Sequence, residues 1–158
     1  MAKAVKSVPD GYHTVTPYLS IRGAREALAF YERAFGAELV YKLDMPDGRI
    51  GHAEIQIGDS RVMLSDEMPE MADASSRSPA SLHGTTVGFC IYVEDVDQRF
   101  KRAMDAGATV KRPVANQFYG DRSGTVQDPY GHVWTLATHV EDVSPDEMKK
   151  RMESLPPL

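Results

Sequence analysis

One order of elements occurs twice in this chain, and that repetition narrows what it can fold into more than any other feature. A strand-like stretch at 14–21 leads into a segment at 24–35 with apolar residues at Ala24, Ala27, Leu28, Tyr31 and Phe35, the spacing of one helical face. Gly36-Ala37 ends that helix, and a strand returns at 38–43. The same order recurs as a strand at 86–93 and a helix at 96–106, with Val96, Phe100, Ala103 and Met104 on one face. Gly107-Ala108 ends the second helix, and a strand begins at Thr109. A shift of 72 residues, the separation of Ala24 from Val96, also lays Leu28 on Phe100 and Tyr31 on Ala103. At the helix ends the shift is 71, so the first helix is the longer.

Each helix precedes three strands. In the first unit they are 38–43, 52–57 and 61–65, separated by turns at Pro46-Asp47-Gly48 and Gly58-Asp59. In the second they are 109–112, 123–127 and 133–137. The chain therefore reads as an α+β protein of two tandem βαβββ modules, 12–67 and 85–139. An N-terminal tail at 1–11 precedes them. A Ser-, Ala- and Pro-rich linker at 68–84 separates them and reads as mobile. In the tail at 140–158, Ser144-Pro145-Asp146-Glu147 carries a capping-box pattern and opens a short polar helix to about 153, a surface appendage.

The period-2 pattern sorts each sheet into two faces. Ala53, Ile55 and Ile57 oppose His52, Glu54 and Gln56. Leu19 and Ile21 oppose Tyr18 and Ser20, and Val62 and Leu64 oppose Met63 and Ser65. Val87, Phe89, Ile91 and Val93 oppose Gly88, Cys90 and Tyr92, and Trp134 and Leu136 oppose Thr135. One face is apolar and suits cover by the helices. The other is polar or small, and on a flat sheet it would simply be solvated. The net charge of -5 offers no footprint for nucleic acid. The N-terminus has no apolar core for a signal or membrane anchor, and a single cysteine fits a reducing compartment, so the expected location is cytoplasmic.

The paired βαβββ units, Phe30-Tyr31 with Ala34-Phe35-Gly36-Ala37, and the hairpin Asp128-Pro129-Tyr130-Gly131-His132-Val133-Trp134 together resemble the vicinal oxygen chelate superfamily of glyoxalase I, extradiol dioxygenases and bleomycin-resistance proteins. The run at 15–37, with Gly51-His52-Ala53-Glu54 and the loop at 118–124, looks most like its PhnB-like branch. The resemblance implies modules forming a curled mixed sheet around a cavity, with helices outside, and a homodimer. Its metal-ligand positions fall on Thr16, Met63, Gly88 and Thr135, which are poor donors for Zn²⁺, Ni²⁺ or Fe²⁺. No metal and no other cofactor is therefore expected. Turnover of the methylglyoxal–glutathione adduct is not expected either, because that reaction needs a metal to stabilise its enediolate.

If the polar face lines a cavity, it suits a small organic ligand. Tyr18, Gln56, Met63, Tyr92, Tyr119, Asp121 and Arg122 are then the ligand-binding candidates. Arg122 could clamp a carboxylate or phosphate, or fix its loop by a salt bridge to Asp121 or Glu54. His52 and Glu54, two apart on one strand, could act as a base and its orienting carboxylate. With His13 or His139 they could instead hold a displaced metal, or they could form a plain hydrogen-bonded row with Gln56. Three functional classes stay open: a metal-free binding protein; a lyase, isomerase or dioxygenase using His52/Glu54 or a displaced metal; and a scaffold whose cavity is filled by its own side chains.

Overall fold

The computed structural model describes residues 5–71 and 76–156, which fall into two compact units, Met1–Gly84 and Thr85–Leu158. In the first unit the strands β1 (Tyr18–Ile21), β2 (Glu38–Asp44), β3 (Ile50–Ile57) and β4 (Ser60–Asp66) form a sheet of order β1-β4-β3-β2. The helix α1 (Ala24–Phe35) follows β1. β1 runs parallel to β4 with Tyr18 opposite Met63, and the other pairs are antiparallel. The strand expected at 14–21 begins only at Tyr18 because Pro17 has no N–H to donate, although its carbonyl still accepts from the Met63 amide.

The core is the apolar face of this sheet under α1. Leu19, Ile21, Ala53, Ile55 and Leu64 are buried with Ala24, Ala27, Phe30, Tyr31, Ala34 and Phe35. Gly23 before α1 has no side chain to cap it. The carboxylate of Asp66 does the work instead, accepting from the Gly23 and Ala24 amides and, through its other oxygen, from Ile50. The end of β4 thereby fixes the start of α1.

The second unit repeats the plan. β5 (Gly88–Tyr92), β6 (Thr109–Asn116), β7 (Asp121–Gln127) and β8 (Val133–His139) form a sheet of order β5-β8-β7-β6, and a helix at Val96–Ala106 follows β5. Cys90 lies opposite Thr135 in the parallel pair, the counterpart of Tyr18 opposite Met63 at the 72-residue shift read from the sequence. That helix packs closely on β7. A Cβ on Gly124 would stand 2.6 Å from the Phe100 ring and 2.9 Å from Val114. The Asp128-to-His132 turn is a structural device. Buried Asp128 accepts from the amides of Tyr130 and His132 and from the Trp134 indole.

The expected curled mixed sheet around a cavity is not what forms. Each module carries its own open four-stranded sheet, ending at β1 and β2 in the first and at β5 and β6 in the second. Alternation of apolar and polar residues specifies which face a helix covers, but not whether the sheet closes.

Between β4 and β5 a short helix, α2 (Pro79–Leu82), forms within the expected linker. The helix at Val96–Ala106 is α3, and the last helix, α4, spans Pro145–Glu153. Residues 72–75 of the linker, 1–4 of the N-terminal tail and 157–158 of the C-terminal tail lie outside the described residues. The α2 segment is tied down by buried Glu67, whose carboxylate accepts from the Ser78 amide and hydroxyl, the Ser81 hydroxyl and Arg22. α4 is likewise anchored: Arg151 binds Glu141 through both terminal nitrogens and donates to the Phe118 carbonyl. Ser144 caps α4, while Glu147 turns to Arg151 and the reciprocal half of the capping box is absent.

Burial alone would raise the Glu67 pKa, but the donors from Ser81, Ser78 and Arg22 overcome it and hold the group at about 2. A carboxyl depressed on folding stabilises above its unfolded value of 4.5, and that contribution is lost as pH falls toward 2. The shift corresponds to a contribution on the order of 3 kcal/mol. Urea titrations from neutral pH down to pH 2 should therefore show a steep acid limb in the wild type. In Glu67→Gln the neutral-pH stability should fall by about that amount and the limb should flatten. An unchanged acid limb would contradict the role given to Glu67.

Candidate functional site

The polar face of the first sheet gathers five of the predicted residues. Strand register sets Met63 beside both Tyr18 and Glu54, and Arg61 beside Gln56. Two hydrogen bonds join Tyr18, His52 and Glu54: the Tyr18 hydroxyl lies 2.9 Å from His52 Nδ1, and His52 Nε2 lies 3.1 Å from Glu54 Oε1. An ionised Glu54 can only accept, so Nε2 carries the proton and Nδ1 of a neutral ring accepts from the phenol. Tyr41 flanks the imidazole from β2, its ring centroid 6.3 Å away. The Gln56 amide turns aside and donates to the Gly58 carbonyl.

Two residues that the sequence reading did not single out complete this face. Arg61 lies 5.6 Å above the ring of Tyr12, from the segment preceding β1. The Tyr12 hydroxyl is buried and closes no hydrogen bond of good geometry, yet it faces Glu54 closely. That hydroxyl is the main influence holding the Glu54 carboxyl below its ordinary range against burial, with His52 and Arg61 adding to it. Burial, then Glu54, pushes the Tyr12 phenol up. Arg61 was legible in principle, since a period of two from Met63 lands on it. Tyr12 has no such signal.

The second sheet holds a separate chain of groups. The Tyr92 hydroxyl donates to Asp121 at 2.8 Å, the other Asp121 oxygen lies 2.8 Å from His139 Nδ1, and His139 Nε2 lies 2.9 Å from Asp142. The Asp121 hydrogen bond is the chief cause that pushes the Tyr92 phenol up to about 12. Cys90, on the same face, is raised by burial and then by Asp121, so it is a thiol and not a ready nucleophile. Tyr119 packs edge-on against Phe118 and is 38% exposed. Arg122 does not join Asp121. It turns to α3, where Nε and Nη2 grip the two Asp97 oxygens at 2.7 Å and Nη1 reaches Asn116. Adjacent strand residues point to opposite faces, and β7 already begins at Asp121.

The metal-ligand positions implied by the superfamily do not fit a cation. In the first unit they carry Thr16 and Met63. In the second they carry Gly88 and Thr135, whose hydroxyl is engaged by Thr125 at 3.0 Å. Among the described residues no three His, Cys, Asp or Glu side chains are grouped to hold a metal, and His139 is engaged by Asp121 and Asp142. A groove of ≈ 350 Å³ lies on the other side of the first sheet, at Leu28, Leu39 and Ile55 with Arg25 and Glu32, away from the polar face.

The duplicated module and its hairpin have a counterpart in known proteins. Residues 13–136 match the family model of the Glyoxalase/Bleomycin resistance protein/Dioxygenase superfamily. The chain belongs to this superfamily. It is 41% identical over 140 residues to the uncharacterized protein Mb0911c of Mycobacterium bovis, across 89% of this chain and 92% of that one. Protein YjdN of Escherichia coli is 27% identical over 143 residues, 77% of this chain and 92% of its own. Among solved structures, TioX from Micromonospora sp. ML1 superposes with a TM-score of 0.63 and 27% identity, covering 81% of this chain and 99% of that chain. Among the described residues no helix is long and apolar enough to cross a membrane.

His139 is held protonated to higher pH, first by Asp142 and then by Asp121, against burial. Its pairing thus stabilises fully below the ordinary value of 6.5 and is lost as pH rises through the raised one. An NMR titration should find His139 titrating above 6.5, and Asp142→Asn should bring it back toward that value. A His139 that titrates at or below 6.5 in the wild type would refute the bridged geometry.

Proposed function

We propose that this superfamily member binds a small organic molecule on the polar face of its first sheet, without a resident metal. The observation that carries this reading is the engagement of both His52 nitrogens, one by Tyr18 and one by Glu54. A ring so held is rigid and has no lone pair free to take a proton from a substrate, which suits recognition better than general-base work. Tyr18, Tyr41 and Met63 offer apolar surface around it, and half of each tyrosine is exposed. Tyr92, Tyr119 and Asp121 form a second candidate surface on the second unit.

The enzymatic alternative keeps one supporting feature, the unbroken Glu54–His52–Tyr18 chain. In it Tyr18 Oη would be the group that exchanges a proton with substrate while His52 acts behind it. The PhnB-like branch is proposed from the 15–37 and 51–54 motifs, and the fold match to a PhnB protein from Bacillus cereus, TM-score 0.61, is compatible with it. A homodimer belongs to the same proposal, supported by the edge strand β2, where Leu39, Val40, Tyr41 and Leu43 are all at least 43% exposed. So does a cytoplasmic setting, in which the Cys90 thiol stays free.

With a ligand found by fragment screening, Tyr18→Phe and His52→Ala should each weaken affinity by about fivefold or more, with no chemical change in the ligand. Retained affinity in His52→Ala together with loss of a measurable turnover would establish the enzymatic alternative instead. Sedimentation velocity tests the assembly: a dimer that Leu43→Lys dissociates supports β2 as the contact, and a wild-type monomer rejects it.

A further inference from the structure

Arg61 stands out among the described residues, with two buried guanidinium nitrogens that have no acceptor. It sits on β4 in the polar row, two strand positions from Met63 and opposite Gln56. Its Nε and Nη1 are buried and donate to nothing, and no carboxylate among the described residues pairs with it. A guanidinium always carries its charge, so leaving its buried N–H groups without acceptors is costly. The ring of Tyr12 holds the guanidinium from one side, and Gly11 approaches so closely that a Cβ there would stand 3.0 Å from Nη2. The Tyr12 hydroxyl, also buried, lies on the same face, where it faces Glu54 without closing a hydrogen bond of good geometry. Glu54, the nearest influential carboxylate, is bonded to His52.

We propose that Arg61 and Tyr12 are the anion-recognising end of the first-unit site, and that its ligand is an organic molecule bearing an oxyanion, a carboxylate in the first instance. The inference rests on the binding reading of that face and adds the chemical class. The oxyanion accepts from Arg61 and the Tyr12 hydroxyl, and the organic remainder lies over Met63 toward Tyr18.

The test is an NMR titration of ¹⁵N-labelled full-length protein, following the Arg61 Nε–H signal and the amides of Tyr18 and Met63. The probes are benzoate, neutral benzamide and inorganic phosphate. Benzoate should move all three signals saturably and bind about tenfold more tightly than benzamide. Arg61→Met should erase that preference. If this variant loses its amide dispersion, Tyr12→Phe carries the test, because it keeps the ring under the guanidinium and should cut the preference about threefold. Equal affinity for benzoate and benzamide at Tyr18 and Met63, or a preference that survives Arg61→Met, would overturn the anion inference and leave the binding reading standing. Phosphate binding Arg61 as tightly as benzoate would overturn the organic class in favour of a free oxyanion. If no probe moves Tyr18 or Met63, the binding reading falls and this inference with it.

Discussion

The parallel pairing of the first strand of each unit with its last is the constraint on which everything else rests. Parallel neighbours cannot be joined by a tight turn, so the chain must leave the sheet and return, and here it does so through α1 in one unit and α3 in the other. Each helix then covers one face of its sheet, and the sequence answers with Leu19, Ile21, Ile55 and Leu64 beneath α1, and Trp134 and Leu136 in the core of the second unit. The opposite face needs no apolar residues and is free to carry polar ones. The candidate site is therefore a product of topology before it is a product of particular side chains.

On the first sheet that free face is organised by one network of donors and acceptors. His52 spends both nitrogens on neighbours, and Glu54 lies below its usual range with His52 and the Tyr12 hydroxyl beside it. Among the described residues of this face, Arg61 keeps two buried donors, Nε and Nη1, without an acceptor. The second sheet differs in kind. Its groups satisfy one another from Tyr92 through Asp121 and His139 to Asp142, and its arginine, Arg122, serves α3 through Asp97. Duplication has preserved the backbone register between the units while the polar faces have diverged.

Much of this was legible in the chain. Helix spacing placed α1 and α3, glycine punctuation placed their ends, and the Ser144-Pro145-Asp146-Glu147 start signal placed α4. Alternation assigned the faces of β3 and β4 correctly, including the row of His52, Glu54 and Met63. Three things were not legible, each for a physical reason. Whether a sheet closes depends on twist and strand length, which alternation does not encode, so the expected curled sheet gave way to two open ones. Asp121 and Arg122 were read as loop neighbours, whereas β7 starts at Asp121 and sends them to opposite sides. Tyr12 reaches the site from an irregular segment with no period to reveal it.

The central claim is that the polar face of the first sheet binds small organic molecules without a metal. The most direct measurement is a fragment screen by heteronuclear NMR, run in parallel on chelator-treated protein and on protein supplied with Zn²⁺ or Ni²⁺. The prediction is that hits cluster on Tyr18, His52 and Met63 and keep their affinities in both series. Hits that appear only with the divalent ion, or that map away from those residues, would contradict it.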